Sequence, residues 1–151
     1  MTSLLAAEAG TAAVSFPVLT AMVLTPFLGA IFLLVLPNNR PEYFKQVAFL
    51  VSALTAAMTG WVMIEFDKAH AATFQFVDQF EWIESLGISW ALGLDGISLW
   101  LVVLTGALFP IVILALDAEH SPKPYYAWIL VLQAGCMGVF LALDLFAFFV
   151  F

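Results

Sequence analysis

Charged residues are scarce in this chain of 151 residues. It has four lysine and arginine residues and eleven aspartate and glutamate residues, so 10% of its residues are charged while 64% are hydrophobic. Soluble domains have about 25% charged residues, which they need to cover their surface. The composition therefore excludes an ordinary soluble domain and indicates a membrane protein. The net charge of −7 and the lack of a basic cluster also exclude nucleic acid as a partner.

Cysteine and catalytic patterns are scarce as well. Cys136 is the only cysteine, so the chain can form neither an internal disulfide nor a metal cluster built on thiolates. His70 and His120 fall in separate predicted loops, and the sequence contains no nucleophile triad, phosphate loop, dinucleotide fingerprint or metal-ligand spacing. We therefore expect no catalytic, cofactor-binding or metal site in this chain.

What the sequence does contain is long uncharged stretches. A helix needs about 20 apolar residues to cross about 30 Å of hydrocarbon. Four stretches meet this requirement and are apolar around the whole circumference, which predicts an all-α membrane protein with spanning helices at about 16–36, 47–64, 97–116 and 125–143. No charged residue lies in the middle of any of these helices, where such residues usually mark proton or ion pathways.

A short apolar run follows the fourth helix. After Asp144, residues 145–151 are all apolar and span only about 10 Å as a helix. We expect this run to be the start of a fifth helix, and the whole chain, 1–151, to be the N-terminal part of a larger membrane protein.

The basic residues predict an orientation. Arg40 and Lys45 lie in the loop after the first helix and Lys123 lies in the loop after the third, whereas only Lys68 lies between the second and third helices. Basic loops face the cytoplasm in most membrane proteins. We therefore expect loops 37–46 and 117–124 to be cytoplasmic, and the N-terminus and loop 65–95 to be external.

Loop 65–95 has a pattern of its own. Aromatic residues occupy alternate positions at Phe74, Phe76, Phe80 and Trp82, with Val77 and Asp78 as exceptions, and apolar residues alternate again over 88–94. The pattern favours a short external β-hairpin, with an irregular loop as the alternative.

Asp95 ends that loop just before the third helix. Its position predicts an N-cap, since the first N–H groups of a helix need an acceptor, and we prefer this role to catalysis.

Small and polar residues inside the helices predict how they pack. Ser52, Ala56 and Gly60 fall on one face of the second helix, and Ala134 and Gly138 on one face of the fourth, which indicates close helix approach.

Two prolines interrupt the first and third helices. We expect kinks at Pro26 and Pro110, with the freed carbonyls bonded by neighbouring helices or by hydroxyls such as those of Thr25 and Thr105. The polar residues inside the helices are expected to form hydrogen bonds between helices; they are Ser52, Thr55, Thr59, Thr105 and Gln133.

Two sequence blocks resemble a known family. They are GISWALGLDGISL at 87–99 and QAGCMGVFLALDLF at 133–146. Both blocks are similar to segments of chain M of bacterial NADH-quinone oxidoreductase, or respiratory complex I, and the distance between them along the chain matches as well. The mitochondrial counterpart of chain M is NADH dehydrogenase subunit 4. The resemblance covers 74–151, whereas residues 1–73 agree mainly in helix count. Trp100 stands where relatives often have proline.

The resemblance implies a proton-translocating membrane-arm subunit in the bacterial inner membrane. Its partners would be the other membrane subunits and the lipid bilayer, while NAD, flavin, iron–sulfur clusters and quinone would belong to other subunits. The family's channel glutamate and lysines come after the stretch that this chain matches. Asp95 and Asp144 match positions at helix ends, where capping or turn roles are implied, so the chain is expected to act as scaffold.

Other functions fit the same sequence features. A subunit of a multi-chain sodium/proton antiporter shares this ancestry, and a photosynthetic version of the quinone oxidoreductase would carry the same chain. A non-transporting four-helix membrane scaffold is favoured by the lack of charge at membrane depth and opposed by the abrupt apolar end.

Overall fold

Four long helices and one hairpin make up the fold. The computed structural model describes residues 17–37, 42–83, 88–118 and 121–151. The elements are α1 (Val18–Val35), α2 (Glu42–Glu65), a 3₁₀ turn (Lys68–His70), β1 (Gln75–Ile83), β2 (Ile88–Leu94), α3 (Gly96–Ala115), α4 (Pro122–Leu141) and α5 (Leu145–Val150). α1 to α4 are each long and apolar enough to cross a membrane. The predicted fold class is confirmed, including the start of a fifth helix and the small sheet between the second and third.

Two helices begin earlier than their apolar stretches suggest. α2 begins at Glu42 rather than 47, because its first turn buries Phe44 in the bundle. α4 begins at Pro122 rather than 125, since proline at the first helical position loses no hydrogen bond. α4 also ends at Leu141 rather than 143, because Ala142 pairs with Leu92 of the hairpin in a β-bridge.

The core consists of two apolar clusters at opposite ends of the bundle. α1 packs mainly against α4 and α2, and α3 packs against α2 and α4. The hairpin-end core comprises Val18, Leu19, Met22, Val23, Val62, Phe66, Leu92, Leu94, Leu99, Val102, Met137 and Leu141. The loop-end core comprises Ala30, Leu33, Phe44, Ala48, Ile113, Tyr126, Ala127 and Leu130. Large apolar side chains such as Leu28, Leu104 and Ile111 also cover the outside, as expected of a surface that faces lipid or other apolar helices.

The loop between α2 and α3 forms an antiparallel hairpin, which decides between the two predicted alternatives. Gln75 pairs with Leu94 and Asp78 with Leu92, so β1 has one residue more than β2 over this stretch. This bulge contains Phe76, which has a φ of 54°. The bulge explains why the aromatic alternation breaks at Val77 and Asp78. The predicted turn at 84–87 and the side chain of Trp82 lie outside the described residues.

The helices approach one another closely at only some of the small residues predicted from the sequence. A side-chain carbon on Gly60 would meet nothing within 4 Å in the described structure, so the prediction of close packing there is wrong. Gly138 lies against the ring of Phe151. The helices approach closely at two glycines that the sequence pattern did not mark: Gly29 faces Val51 of α2, and Gly106 faces Thr59 of α2.

α1 and α3 continue through their prolines. The Thr25 and Thr105 hydroxyls donate to the carbonyls of Ala21 and Leu101, at 2.7 Å in each case. Pro26 frees the Met22 carbonyl and Pro110 frees the Gly106 carbonyl, so neither hydroxyl bonds the carbonyl that its proline frees, and the predicted compensation by these two hydroxyls is wrong. Each hydroxyl bonds one turn back along its own helix, as threonine commonly does inside a helix.

Candidate functional site

Asp95 lies at the N-cap of α3, the position predicted from the sequence. Its carboxylate accepts the Ser98 N–H at 2.7 Å, and the Ser98 hydroxyl oxygen accepts the Asp95 N–H at 3.0 Å, which completes a capping box. The Ser98 hydroxyl also donates to the Asp95 carboxylate, and this bond, followed by that of the Ser98 N–H, holds the pKa of Asp95 below its usual range. The Gly96 N–H donates to the Ala71 carbonyl at 2.9 Å and ties the helix start to the loop.

Asp144 lies at the N-cap of α5 and accepts the Phe146 N–H at 2.8 Å. The chain just before it runs along the hairpin, where the Leu143 N–H donates to the Ala91 carbonyl at 2.9 Å. Asp144 therefore stands where α4, β2 and α5 meet. Asp95 and Asp144 belong to separate helix ends.

A third aspartate caps a helix from a distance. α1 begins after Pro17 with no side-chain cap of its own. The Asp78 carboxylate, on the hairpin, accepts the Thr20 N–H at 2.9 Å and the Thr20 hydroxyl at 3.1 Å. The Trp90 indole N–H also donates to the Thr20 hydroxyl oxygen at 3.2 Å. Sequence analysis missed this role, although the break in alternation at Asp78 was a signal for it.

Two lysines bind helix carbonyls at the opposite end of the bundle. The Lys45 ammonium donates to the Leu114 carbonyl at 3.0 Å and to Asp117 at 2.6 Å. The Lys123 ammonium donates to the Leu36 carbonyl at 2.7 Å. Helix C-terminal carbonyls carry negative partial charge and favour cations. The last turns of α1 and α3 contain no basic residue, so these two lysines supply the missing charge from neighbouring helices.

In the described residues, five charged side chains thus bind backbone groups at the ends of α-helices, and we refer to them as the helix-end charges: Lys45, Asp78, Asp95, Lys123 and Asp144. Their chemistry is capping. In the part of the chain that the structure describes, no group of three His, Cys, Asp or Glu side chains could hold a metal ion. His70 contacts Asp67 at 2.8 Å on the exposed loop, and His120 lies outside the described residues.

A layer of buried polar side chains separates the two apolar cores near the middle of the helices. We call it the central polar layer: Ser52, Thr55, Thr59, Thr105 and Gln133. The predicted bonds between helices are wrong for its threonines, because Thr55, Thr59 and Thr105 each donate to a carbonyl of their own helix. Within the described residues, the Ser52 hydroxyl and both polar atoms of the Gln133 amide have no hydrogen-bond partner.

Gln133→Met is expected to stabilise the bundle. Gln133 is fully buried, and leaving its amide without partners costs about 1–3 kcal/mol, which a methionine of similar length would not incur. The midpoint of thermal unfolding in detergent should therefore rise. Gln46→Met, at an exposed position of α2, is the matched control and should change stability by less than about 0.5 kcal/mol. A lower midpoint for Gln133→Met would show that the amide has a stabilising partner.

The chain is similar in sequence to named subunits of quinone oxidoreductases. It is 33% identical over 135 residues to the chloroplast NAD(P)H-quinone oxidoreductase chain 4 of Chara vulgaris, covering 89% of this chain and 27% of that protein. It is 30% identical over 143 residues to NADH-quinone oxidoreductase subunit M of Rickettsia typhi, and the match covers 89% of this chain and 29% of that protein. The chain is a homologue of the chain 4/subunit M family. NADH-ubiquinone oxidoreductase chain 4 of Arabidopsis thaliana is 36% identical to it over 135 residues, and the match covers 88% of this chain and 27% of that protein.

The similarity to chain 4/subunit M extends further than the two sequence blocks indicated. Because it covers 88–89% of this chain in each relative, it reaches well into residues 1–73. The chain spans about a quarter of the length of these relatives, between 27% and 29%. No protein-family model matches the chain.

Proposed function

We propose that this chain is part of a membrane-arm subunit of a proton-translocating NADH-quinone oxidoreductase. The observation that carries the proposal is the identity of 30–36% to chain 4 and subunit M proteins over nearly nine tenths of the chain. The four membrane-compatible helices support it. Since the relatives compared above are all named as quinone-oxidoreductase subunits, they favour this function over a sodium/proton antiporter or an unrelated scaffold.

In this proposal the chain contributes scaffold rather than proton-carrying groups. In the described parts of the four spans, Asp, Glu, Lys and Arg occur only near the helix ends. A proton path through the membrane needs titratable groups at depth, so these would come from other parts of the subunit. NADH oxidation would likewise take place in other subunits, which would hold NAD, flavin, iron–sulfur clusters and quinone.

The proposed setting is the bacterial plasma membrane, with other membrane subunits of the complex and lipid as partners. Lys45 and Lys123 bind helix carbonyls at the same end of the bundle, opposite the hairpin. By the preference of basic residues for the cytoplasmic side, that end would face the cytoplasm and the hairpin would face outward.

A complementation experiment tests this function. Deleting the gene that encodes this chain should abolish NADH-driven quinone reduction and proton uptake by membrane vesicles, and the wild-type gene should restore both. The Asp144→Ala variant loses the cap of α5, which is worth about 1 kcal/mol, so it should reduce the amount of assembled complex more than the turnover of each complex.

Native gels and the NADH oxidation rate measure these two quantities separately. Normal assembly with abolished proton pumping in Asp144→Ala would contradict the scaffold role. A deletion strain that keeps NADH-driven quinone reduction but loses sodium/proton exchange would contradict the oxidoreductase assignment.

A further inference from the structure

A cavity of about 510 Å³ opens at the end of the bundle opposite the hairpin. It lies where α2 begins, α3 ends and α4 begins, and its lining includes Lys45, Phe49, Leu114, Asp117 and Tyr126. Pockets that bind small molecules usually measure about 300–1,000 Å³. The cavity is therefore large enough for a polar headgroup together with the start of an apolar chain.

The polar wall of this cavity combines one positive and one negative charge. Lys45 Nζ lies 2.6 Å from Asp117 Oδ1 and 3.0 Å from the Leu114 carbonyl oxygen. An ammonium has three N–H donors, so the third remains available for another acceptor. Asp117 is 83% exposed, and within the described structure only Lys45 contacts its carboxylate. The pair can thus accept a ligand that carries both an anionic and a cationic group.

The rest of the lining is mainly apolar, although it includes the Gln46 side chain, and it lies at one end of helices that are long and apolar enough to span a membrane. Phe49 and Leu114 belong to membrane-spanning helices, whereas Asp117 lies just beyond the end of α3 at Ala115. This is the depth at which hydrocarbon gives way to lipid headgroups. A bound molecule would therefore place its charged group at Lys45 and Asp117 and its apolar part against Phe49 and Leu114.

We propose that this cavity binds the headgroup of a zwitterionic aminophospholipid, such as phosphatidylethanolamine. The lipid phosphate accepts a hydrogen bond from Lys45, its primary ammonium donates to Asp117, and its acyl chain packs along Phe49 and Leu114. The Asp117 carboxylate repels purely anionic headgroups. A choline headgroup has no N–H to donate, so it binds more weakly than a primary ammonium.

Photocrosslinking in the intact purified complex tests this site. The complex is placed in lipid nanodiscs with photoreactive analogues of phosphatidylethanolamine, phosphatidylcholine or phosphatidylglycerol, and the labelled peptides are identified by mass spectrometry. The ethanolamine analogue should label segments 42–49 and 114–126 about tenfold more than the other two, as expected for one charge-assisted hydrogen bond. Asp117→Asn should remove this preference, and Asp117→Lys should shift it to phosphatidylglycerol.

Asp67→Asn serves as the matched control because Asp67 is also exposed but lies in the loop at the hairpin end, so labelling of 42–49 and 114–126 should not change. Equal labelling by all three analogues, or an unchanged pattern in Asp117→Asn, would overturn the proposal. Loss of labelling in the presence of soluble phosphoethanolamine at a concentration matching the lipid would overturn the lipid as the ligand. Labelling is read out without any quinone reduction, so failure of this test is distinguishable from failure of the oxidoreductase function.

Discussion

Gly106→Ala is expected to lower the free energy of unfolding of the bundle by about 1–3 kcal/mol, the usual cost of overfilling a packed core. An added side-chain carbon at Gly106 would overlap the Thr59 hydroxyl of α2. Thr59 is buried, is branched at Cβ and donates to the Ala56 carbonyl at 2.7 Å, so it cannot easily turn away. α3 would then have to move away from α2.

Gly60→Ala is the matched control for this variant, because a side-chain carbon there meets nothing within 4 Å in the described structure. It should leave stability unchanged or raise it by up to about 1 kcal/mol through helix propensity. The double variant Gly106→Ala with Thr59→Ala should recover much of the loss. Chemical denaturation in detergent measures all three variants, and equal stabilities of Gly106→Ala and Gly60→Ala would disprove the close contact between α2 and α3.

Asp78→Ala should weaken the attachment of the hairpin to α1. The Asp78 carboxylate accepts two hydrogen bonds from Thr20, and hydrogen bonds to a charged group contribute about 1.5–3 kcal/mol each. For the two bonds together we expect a loss of about 2 kcal/mol, less than the sum of two such contributions, because the site is only partly buried. Hydrogen–deuterium exchange should show faster exchange at the start of α1, starting with the Thr20 amide.

Asp67→Ala provides the comparison for the hairpin variant. Asp67 caps the 3₁₀ turn of the same loop through Ala69 and His70, and within the described part of the chain its carboxylate bonds only to that turn. Removing it should speed exchange in the loop but leave α1 unchanged. If both variants affected α1 equally, the loss could not be assigned to the bond between Asp78 and Thr20.

The helix count and the hairpin could be predicted because both depend on local patterns. Uninterrupted apolar stretches mark membrane helices whatever their neighbours are, and alternation over 88–94 marks a strand. Asp95 could be placed at an N-cap because its partner, Ser98, is three residues away. The first residue of a helix is harder to predict, because hydropathy alone places Pro122 and Pro124 outside α4 although both belong to it.

Contacts between distant residues could not be predicted in the same way. Asp78 and Thr20 are 58 residues apart in the sequence. The bulge at Phe76, two residues before Asp78, forms only when the two strands are paired. Gly106 and Gly60 look alike in sequence, yet only Gly106 faces another helix at close range. Which glycine matters depends on how each helix is rotated about its axis, and a helix that is apolar all round gives no signal for that rotation.

The few charges of the chain have a structural use that their number alone did not show. Lys45 and Lys123 each bind the backbone at the end of a neighbouring helix, and Asp78 of the hairpin binds the backbone at the start of α1. Asp95 and Asp144 cap the helices that follow them. Backbone groups at helix ends are costly to leave unpaired near lipid. These charges therefore hold the ends of an apolar bundle together, as the proposed scaffold role requires.

Purification of the chain from native membranes tests the central claim most directly. The chain would carry an affinity tag at its chromosomal locus, be extracted in mild detergent and be separated by native gel electrophoresis with mass spectrometry of the isolated band. Our account predicts that it migrates in one large complex with other oxidoreductase subunits and with NADH-dependent quinone reduction. Migration on its own, or with partners that carry no such activity, would contradict it.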